Sequence, residues 1–173
     1  MGTGVTHSAS EADGPLCSKS WIHYYRHPLL AAFMNSVHGG FKQPIIWSVK
    51  VEGATKHAGQ LKSGAKSVTT LQKIDLPLIT AEQRVEIAVR CALLQYKEPT
   101  FVSWAEDWIS GKARSAWAAT QGAATPAAWA AADAAAATHA AADAACAADA
   151  AAAAADFDLL SIIKSVVERA QIK

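Results

Sequence analysis

The sequence predicts an α+β protein with its strands in the first half and most of its helices in the second. Short β-branched and aromatic runs alternate with glycine and proline in the first half, which is typical of strands joined by turns. In the second half apolar residues recur at helical spacing, and 22 of the 29 residues from 127 to 155 are alanine, the residue with the highest helix propensity. We therefore expect a small antiparallel sheet with one helix, followed by a helical half that contains a long alanine-rich helix.

These patterns divide the 173 residues into three regions. Residues 1–18 are rich in Gly, Ser and Thr, which predicts a flexible N-terminal arm. Residues 19–78 form the predicted small α+β region, and residues 79–173 form the helical region with the alanine-rich helix at 127–155. The first residues lack the apolar core of a signal peptide and three aspartates interrupt the alanine tract, so we expect no contact with a membrane.

The first half carries the signals of three strands and one helix. Trp, Tyr, Ile and Val favour strands, whereas a proline favours the first turn of a helix and a glycine pair favours its end. The polar stretch between the last two strands is typical of a hairpin or loop. In order, the expected elements are a strand at 21–25, a helix that starts at Pro28 and ends before Gly39, a strand at 45–51 closed by Gly53, and a strand at about 67–74.

The second half carries helix start and stop signals at short intervals. Thr80 and Gln83 match a capping box, in which each side chain bonds the backbone N–H of the other residue. Thr100 is the expected cap of the next helix, and Gly111 is its expected end. The sequence Asp-Phe-Asp at 156–158 predicts a break after the alanine tract and a new helix cap, and the apolar residues that follow predict a last helix.

Charge is distributed unevenly along the chain. Residues 1–78 carry eight Lys and Arg against four Asp and Glu, together with five of the six histidines, whereas residues 79–173 carry eight against eleven. A modestly basic, histidine-rich first half suits an anionic partner such as a nucleotide. The alternative is ordinary surface charge, because an uneven distribution of sign is a weak indicator.

The segment from Tyr24 to His27 mixes aromatic rings with hydrogen-bond donors. Together with basic and aromatic residues further along the chain, it predicts a pocket for a base and phosphates, through stacking and charge-assisted hydrogen bonds. The alternative is that alternate residues of a strand belong to the core, and we favour the core for Trp21, Tyr25 and Trp47. The candidate ligand-binding residues are Tyr24, Arg26, His27, His38, Lys42 and Trp47.

Cysteine and histidine patterns predict no metal, no cofactor and no catalytic set. The three cysteines are widely spaced without a CxxC pair, which favours a reducing, cytoplasmic compartment. His139, Asp143 and Cys146 share one face of the alanine helix, a spacing that a metal or a reactive thiolate could use. No HExxH or CxxC accompanies them, so a solvated polar stripe is the favoured interpretation. An enzyme that uses His38, or this face of the alanine helix, is an alternative function.

A glycine-rich stretch from Gly59 to Ser67 approaches a phosphate-binding loop of the Walker A type. Lys66 follows Gly64 with one residue too many between them, and the stretch precedes an expected strand instead of opening a helix. We therefore reject a P-loop. The sequence carries no strong signal for nucleic-acid binding.

Six short segments resemble an uncharacterised family of phage- and prophage-associated proteins. The resemblance covers about residues 21–170 and departs at Ser36-Val37 and at 112–114. It implies a viral or mobile-element origin, and therefore the cytoplasm of a bacterial host, and it supplies no catalytic residues. The segments are 24–31, 35–38, 44–47, 74–77, 80–85 and 104–111.

We expect a non-enzymatic binding protein on these grounds. In the phage context it would be a counter-defence factor that captures a small anionic, nucleotide-like ligand or blocks a host protein. The alternative is a structural or assembly accessory protein that forms a homo-oligomer through its alanine-rich helix, because alanine lets helices approach closely.

Overall fold

The computed structural model describes residues 2–10, 13–35, 40–58, 62–95, 97–112 and 158–169. The alanine-rich helix at 127–155, the face of His139, Asp143 and Cys146, and the site residue His38 lie outside the described residues. The long helix and an oligomer built on it therefore stay predictions. The chain divides into a sheet unit (Met1–Ala32 and Phe41–Leu78) and a helical unit (Phe33–Gly40 and Ile79–Lys173).

The sheet unit contains a small antiparallel sheet, which confirms the α+β class. Its longest strands, β3 (Ile46–Ala58) and β4 (Lys62–Ile74), form a hairpin. β4 is the central strand, because the short strands β1 (Thr6–Ser8) and β2 (Ile22–Tyr24) also pair with it. Since β3 occupies one edge of β4, β1 and β2 lie end to end along the other edge.

The hairpin is longer than the sequence predicts. Gly53, the expected end of the strand, instead lies in an irregularity between Glu52 and Thr55, where the register against β4 shifts. Gly53 has a φ of 76°, which an L side chain rarely adopts, so glycine permits a bulge that lets β3 continue. β4 accordingly starts at Lys62, five residues before the expected strand.

The beginning of the chain is paired with the sheet, where we expected a flexible arm. The backbone N–H of Gly4 donates to Thr70 O at 2.7 Å, and Thr70 N donates to Val5 O at 3.0 Å. The Thr6 hydroxyl also lies 2.9 Å from the Thr69 hydroxyl. These bonds satisfy the backbone groups along the second edge of β4, which would otherwise be left for another chain to pair with.

The helical unit takes its boundaries from local capping signals. The capping box is confirmed, because Thr80 N donates to Gln83 Oε1 at 2.8 Å and Gln83 N donates to Thr80 Oγ1 at 3.2 Å. Gly111 ends the next helix with a φ of 79°, as expected. The helices are α1 (Pro28–Met34, which crosses the boundary between the units), α2 (Ala81–Gln95), α3 (Pro99–Ser110) and α4 (Leu159–Arg169).

One cap differs from the prediction. Thr100 was the expected N-cap of α3, but Glu98 holds that position and its Oε2 accepts from Phe101 N at 2.9 Å. Pro99 follows as the first helical residue, where its missing N–H costs nothing. At the start of α4, Asp158 accepts from Ser161 N at 3.3 Å, in agreement with the expected recap.

The core of the helical unit comes from one apolar face of each helix. Glu86 joins α2 to α4 at the edge of this core, because its Oε1 accepts from Arg90 Nε at 2.8 Å and from Arg169 Nη2 at 2.7 Å. No helix among the described residues is both long enough and apolar enough to cross a membrane. The buried residues include Ile87, Val89, Cys91, Phe101, Trp104, Trp108, Leu159 and Ile163.

Candidate functional site

The structure separates two of the predicted site residues. Tyr24 pairs with Ser63 and Trp47 pairs with Lys73, and these partners are ten residues apart on β4. At about 3.3 Å per residue, Tyr24 and Trp47 lie roughly 30 Å apart along the sheet. They cannot line one small pocket.

The structure describes three further predicted site residues, Arg26, His27 and Lys42. His27 Nδ1 accepts from Leu29 N at 3.2 Å, so this ring bonds the first turn of α1. Arg26 and Lys42 are exposed, and neither donates to another predicted site residue within the described ranges. Tyr24, Arg26 and His27 are close only because they are neighbours in the chain.

A different group of basic side chains converges on residues 13–20, which we call the strap. The donors come from β3, from β4, from β2 and from Trp21 just before β2, and all their acceptors belong to the strap. Three donors are lysines, Lys56, Lys62 and Lys66, which we call the cationic cluster. Trp21 Nε1 and Lys56 Nζ donate to Gly14 O (3.0 and 3.1 Å), His23 Nε2 donates to Leu16 O, Lys62 Nζ donates to Cys17 Sγ (3.4 Å), and Lys66 Nζ donates to Ser20 O (2.8 Å).

The alternation of β4 explains why these donors lie on one face. Lys62, Gly64 and Lys66 are two residues apart, so they point to the same side of the sheet. Gly64 leaves room for the strap between the two lysines. A Cβ at Gly64 would lie 2.6 Å from Leu16 Cδ1 and 2.8 Å from Trp21 Cβ, so a residue with a side chain would push the strap away.

Trp21 lies beneath the cluster and belongs to the core, as expected. Its side chain is 8% exposed. The ammonium of Lys66 is 4.1 Å from the centre of the indole ring, and that of Lys56 is 5.8 Å from it. Both distances are within the range in which a cation is attracted to the face of an aromatic ring.

The acceptors in the strap that are described for Lys56 and Lys62 carry no formal negative charge. Lys56 and Lys62 have no carboxylate within 4.0 Å among the described residues. Lys62 is 9% exposed, and its one hydrogen-bond partner there is the Cys17 thiol, a weak acceptor. Burial of an ammonium without a countercharge is costly, so the site favours the approach of an anion.

The cationic cluster is not among the predicted sites, although the sequence carries a local signal for it. The spacing Lys62-x-Gly64-x-Lys66 is a strand pattern with two cations on one face. The sequence predicts a stretch that is rejected as a P-loop and precedes a strand, whereas Gly64 and Lys66 lie inside β4. The contribution of Lys56 depends on its register opposite Gly64, which the sequence does not reveal.

A second concave feature lies within the helical unit, between α2 and α4. It is an open groove of about 300 Å³. Its cations are already engaged: Arg90 bonds Glu86, and Lys97 donates to Leu93 O. No group of three or more His, Cys, Asp or Glu side chains in the described ranges is placed to hold a metal ion. The groove is lined by Arg90, Leu93, Leu94, Lys97, Ile162 and Ser165.

Comparison of the chain with protein-family models, with curated proteins and with solved structures gives no match. The resemblance to phage-associated proteins therefore stays a prediction. The cationic cluster is a candidate site on the strength of its own geometry, because no relative assigns a role to these residues.

Proposed function

We propose that this protein is a non-enzymatic binding protein for an anionic ligand, with the cationic cluster as its binding site. The observation that carries the proposal is the environment of Lys62. Its side chain is nine-tenths buried, yet only a thiol accepts a hydrogen bond from it among the described residues. A bound anion supplies the countercharge that Lys62 lacks in the structure.

The neighbouring lysine adds a second point of attachment. An ammonium group has three donors, and Lys56 uses one of them on Gly14 O. Its side chain is exposed, so its remaining donors are accessible to a ligand from solvent. Lys56 lies opposite Gly64, midway between Lys62 and Lys66 along β4. An anion at this position interacts with charges from both strands of the hairpin.

The cationic cluster holds a ligand through charge, and in this it differs from the pocket that the sequence predicts. The predicted pocket uses stacking as well as charge, with Arg26 and Trp47 among its residues. A counter-defence role, in which such a binder removes a nucleotide-like signal of the host, follows from the resemblance and stays a prediction. So does the alternative in which the protein blocks a host protein.

Calorimetric titration with ATP and with inorganic tripolyphosphate tests the proposal. We expect both to bind the full-length protein, and we expect Lys56→Gln to weaken binding by between about tenfold and about a hundredfold, because a charge-assisted hydrogen bond contributes about 1.5–3 kcal/mol. Lys73→Gln is the matched control, because Lys73 is an exposed lysine on the neighbouring strand β4, outside the cluster. If neither anion gives a heat of binding, the site is refuted. It is also refuted if Lys73→Gln weakens binding as much as Lys56→Gln does.

Lys62→Gln and Lys62→Arg form a second pair of variants. The glutamine removes the buried charge and the arginine retains it. We expect binding to be lost in the first variant and largely kept in the second, with circular dichroism as the check that both are folded. Equal affinity of the two variants would mean that the charge of Lys62 does not contribute.

A further inference from the structure

Cys17 is an exposed, reduced thiol in the middle of the strap. Lys62 Nζ donates to its sulfur at 3.4 Å. Hydrogen bonds also hold the chain on both sides of it, because His23 Nε2 donates to Leu16 O and the Ser18 hydroxyl donates to the backbone oxygen three residues earlier, at 2.7 Å. The sulfur is therefore kept beside the ammonium group while it stays open to solvent.

Lys62 gives this thiol a setting that an isolated surface cysteine lacks. The lysine side chain is 9% exposed, and the Cys17 sulfur is its one hydrogen-bond acceptor among the described residues. A cation within hydrogen-bond distance stabilises a thiolate, which is the nucleophilic form of cysteine, and reactive cysteines lie in such electropositive, accessible positions. The pair combines an accessible sulfur with a charge that the surrounding sheet holds in place.

Cys91 has the opposite setting within the same chain. It lies fully buried in α2, and this burial raises the pKa of its thiol to about 12. A thiol in apolar surroundings is inert, because neither the thiolate nor an oxidant is present there. Cys91 is therefore an internal reference against which the reactivity of Cys17 is measured.

We propose that Cys17 is a site of reversible oxidation by peroxides, and that its oxidised form closes the cationic cluster to external anions. The Cys17 thiolate attacks one oxygen of hydrogen peroxide, so that an S–O bond forms and the O–O bond breaks. The sulfur loses two electrons and becomes a sulfenic acid, while the departing hydroxide takes a proton from solvent and leaves as water. The oxidation is independent of the proposed function, whereas its effect on binding rests on that function.

Oxidation changes the group that Lys62 faces. A deprotonated sulfenic acid carries its charge on oxygen, and a charged oxygen is a much stronger acceptor than the sulfur of a thiol. Because Lys62 Nζ already donates to this sulfur, the new oxygen forms next to the ammonium group. The lysine then has a countercharge from its own chain, with which an external anion must compete.

Peptide mapping by mass spectrometry tests the oxidation itself. The full-length protein is treated with hydrogen peroxide, and sulfenic acid is trapped with dimedone. We expect label at Cys17 and none at Cys91. We expect Lys62→Gln to slow the labelling of Cys17 by between about twofold and about fivefold, because loss of the charge lowers the thiolate fraction while the remaining thiolate is a better nucleophile. Lys62→Arg should restore the rate, and Cys91 should stay unlabelled in both variants if they are folded.

Calorimetric titration with inorganic tripolyphosphate tests the consequence for binding. We expect peroxide to weaken binding to the wild type at least about tenfold, and dithiothreitol to restore it, because thiols reduce sulfenic acid. Cys17→Asp places a carboxylate beside Lys62 and should bind as weakly as the oxidised wild type. In Cys17→Ser, peroxide should leave the affinity at the value measured before treatment.

The outcomes separate this inference from the proposed function. If Cys17 is labelled no faster than Cys91, or equally fast in Lys62→Gln and in the wild type, the inference fails while the proposed function stands. The same holds if the oxidised wild type binds tripolyphosphate as tightly as the reduced protein does. If the reduced protein binds no tripolyphosphate, the proposed function fails and the effect on binding fails with it, and the labelling rates alone decide whether Cys17 is an oxidation site.

Discussion

The indole N–H of Trp21 donates to the carbonyl oxygen of Gly14 at 3.0 Å. This bond fixes the start of the strap directly over the central strand of the sheet. Lys56 donates to the same oxygen, so one backbone carbonyl joins a buried aromatic residue to an exposed cation. The position of the strap and the position of the charges therefore depend on each other.

Replacing the Trp21 N–H tests this coupling. Trp21→Phe keeps an aromatic ring but leaves Gly14 O with Lys56 as its remaining donor. We expect a loss of about 1–3 kcal/mol in the free energy of unfolding, from one hydrogen bond and the smaller ring. Urea denaturation measures it, and limited proteolysis should show faster cleavage within residues 13–20. An unchanged cleavage rate would mean that the indole N–H does not hold the strap.

Gly64 is expected to tolerate no side chain. In Gly64→Ala the new Cβ would lie 2.8 Å from Trp21 Cβ, and a contact that short forces a shift in the backbone of β2 or β4. We expect a loss of about 1–3 kcal/mol in the free energy of unfolding, which is typical of overpacking. Gly2→Ala is the control, because the nearest atom to its Cβ is 3.9 Å away. A Gly64→Ala protein as stable as this control would contradict the close approach of the strap.

The cap of α3 predicts a dependence of stability on pH. Hydrogen bonds from the backbone of Thr100 and Phe101 lower the pKa of the Glu98 carboxyl. A carboxyl with a lowered pKa in the folded state stabilises the protein above its unfolded pKa, about 4.3, and this contribution is lost as the pH falls through the folded value. Glu98→Gln should therefore flatten the acid limb of the stability profile, measured by thermal unfolding between about pH 5 and about pH 2. An identical acid limb in the variant and the wild type would assign it to other carboxyls.

Glu86 is expected to hold α4 against α2. It accepts from Arg90 and from Arg169, and its side chain is 19% exposed. We expect Glu86→Gln to cost about 0.5–1 kcal/mol and to speed amide hydrogen exchange in α4, because Arg169 loses its charged partner. Asp107→Asn is the control, since its ion pair with Lys112 is exposed and 3.7 Å long. Equal exchange in α4 in both variants would mean that apolar packing alone holds this helix.

The parts of the fold that were predicted correctly are set by nearby residues. The capping box of Thr80 and Gln83 involves two side chains three residues apart, and Gly111 ends α3 through its own φ angle. The last helix follows from apolar spacing, and its buried residues Leu159 and Ile163 belong to the expected face. All residues of such a signal lie within one or two helical turns of one another, so the sequence alone reveals it.

The parts that were missed depend on distant partners. Thr6 pairs with Thr69, and nothing near Thr6 in the sequence indicates that β4 has a free edge there. The same is true of the site. Tyr24 and Trp47 suit one pocket by residue type, but the register of β4 places them at its opposite ends. A strand register is set by pairing across the whole sheet, and a bulge such as that at Gly53 changes it.

Chemical-shift mapping by NMR determines whether the cationic cluster is the anion-binding site of this protein. Amide spectra of the labelled full-length protein are recorded as inorganic tripolyphosphate is added. We expect the largest shifts in residues 13–20 and 62–66, with α3 unaffected, and we expect Lys62→Gln to suppress them. Shifts concentrated elsewhere in the chain, or none at all, would contradict it.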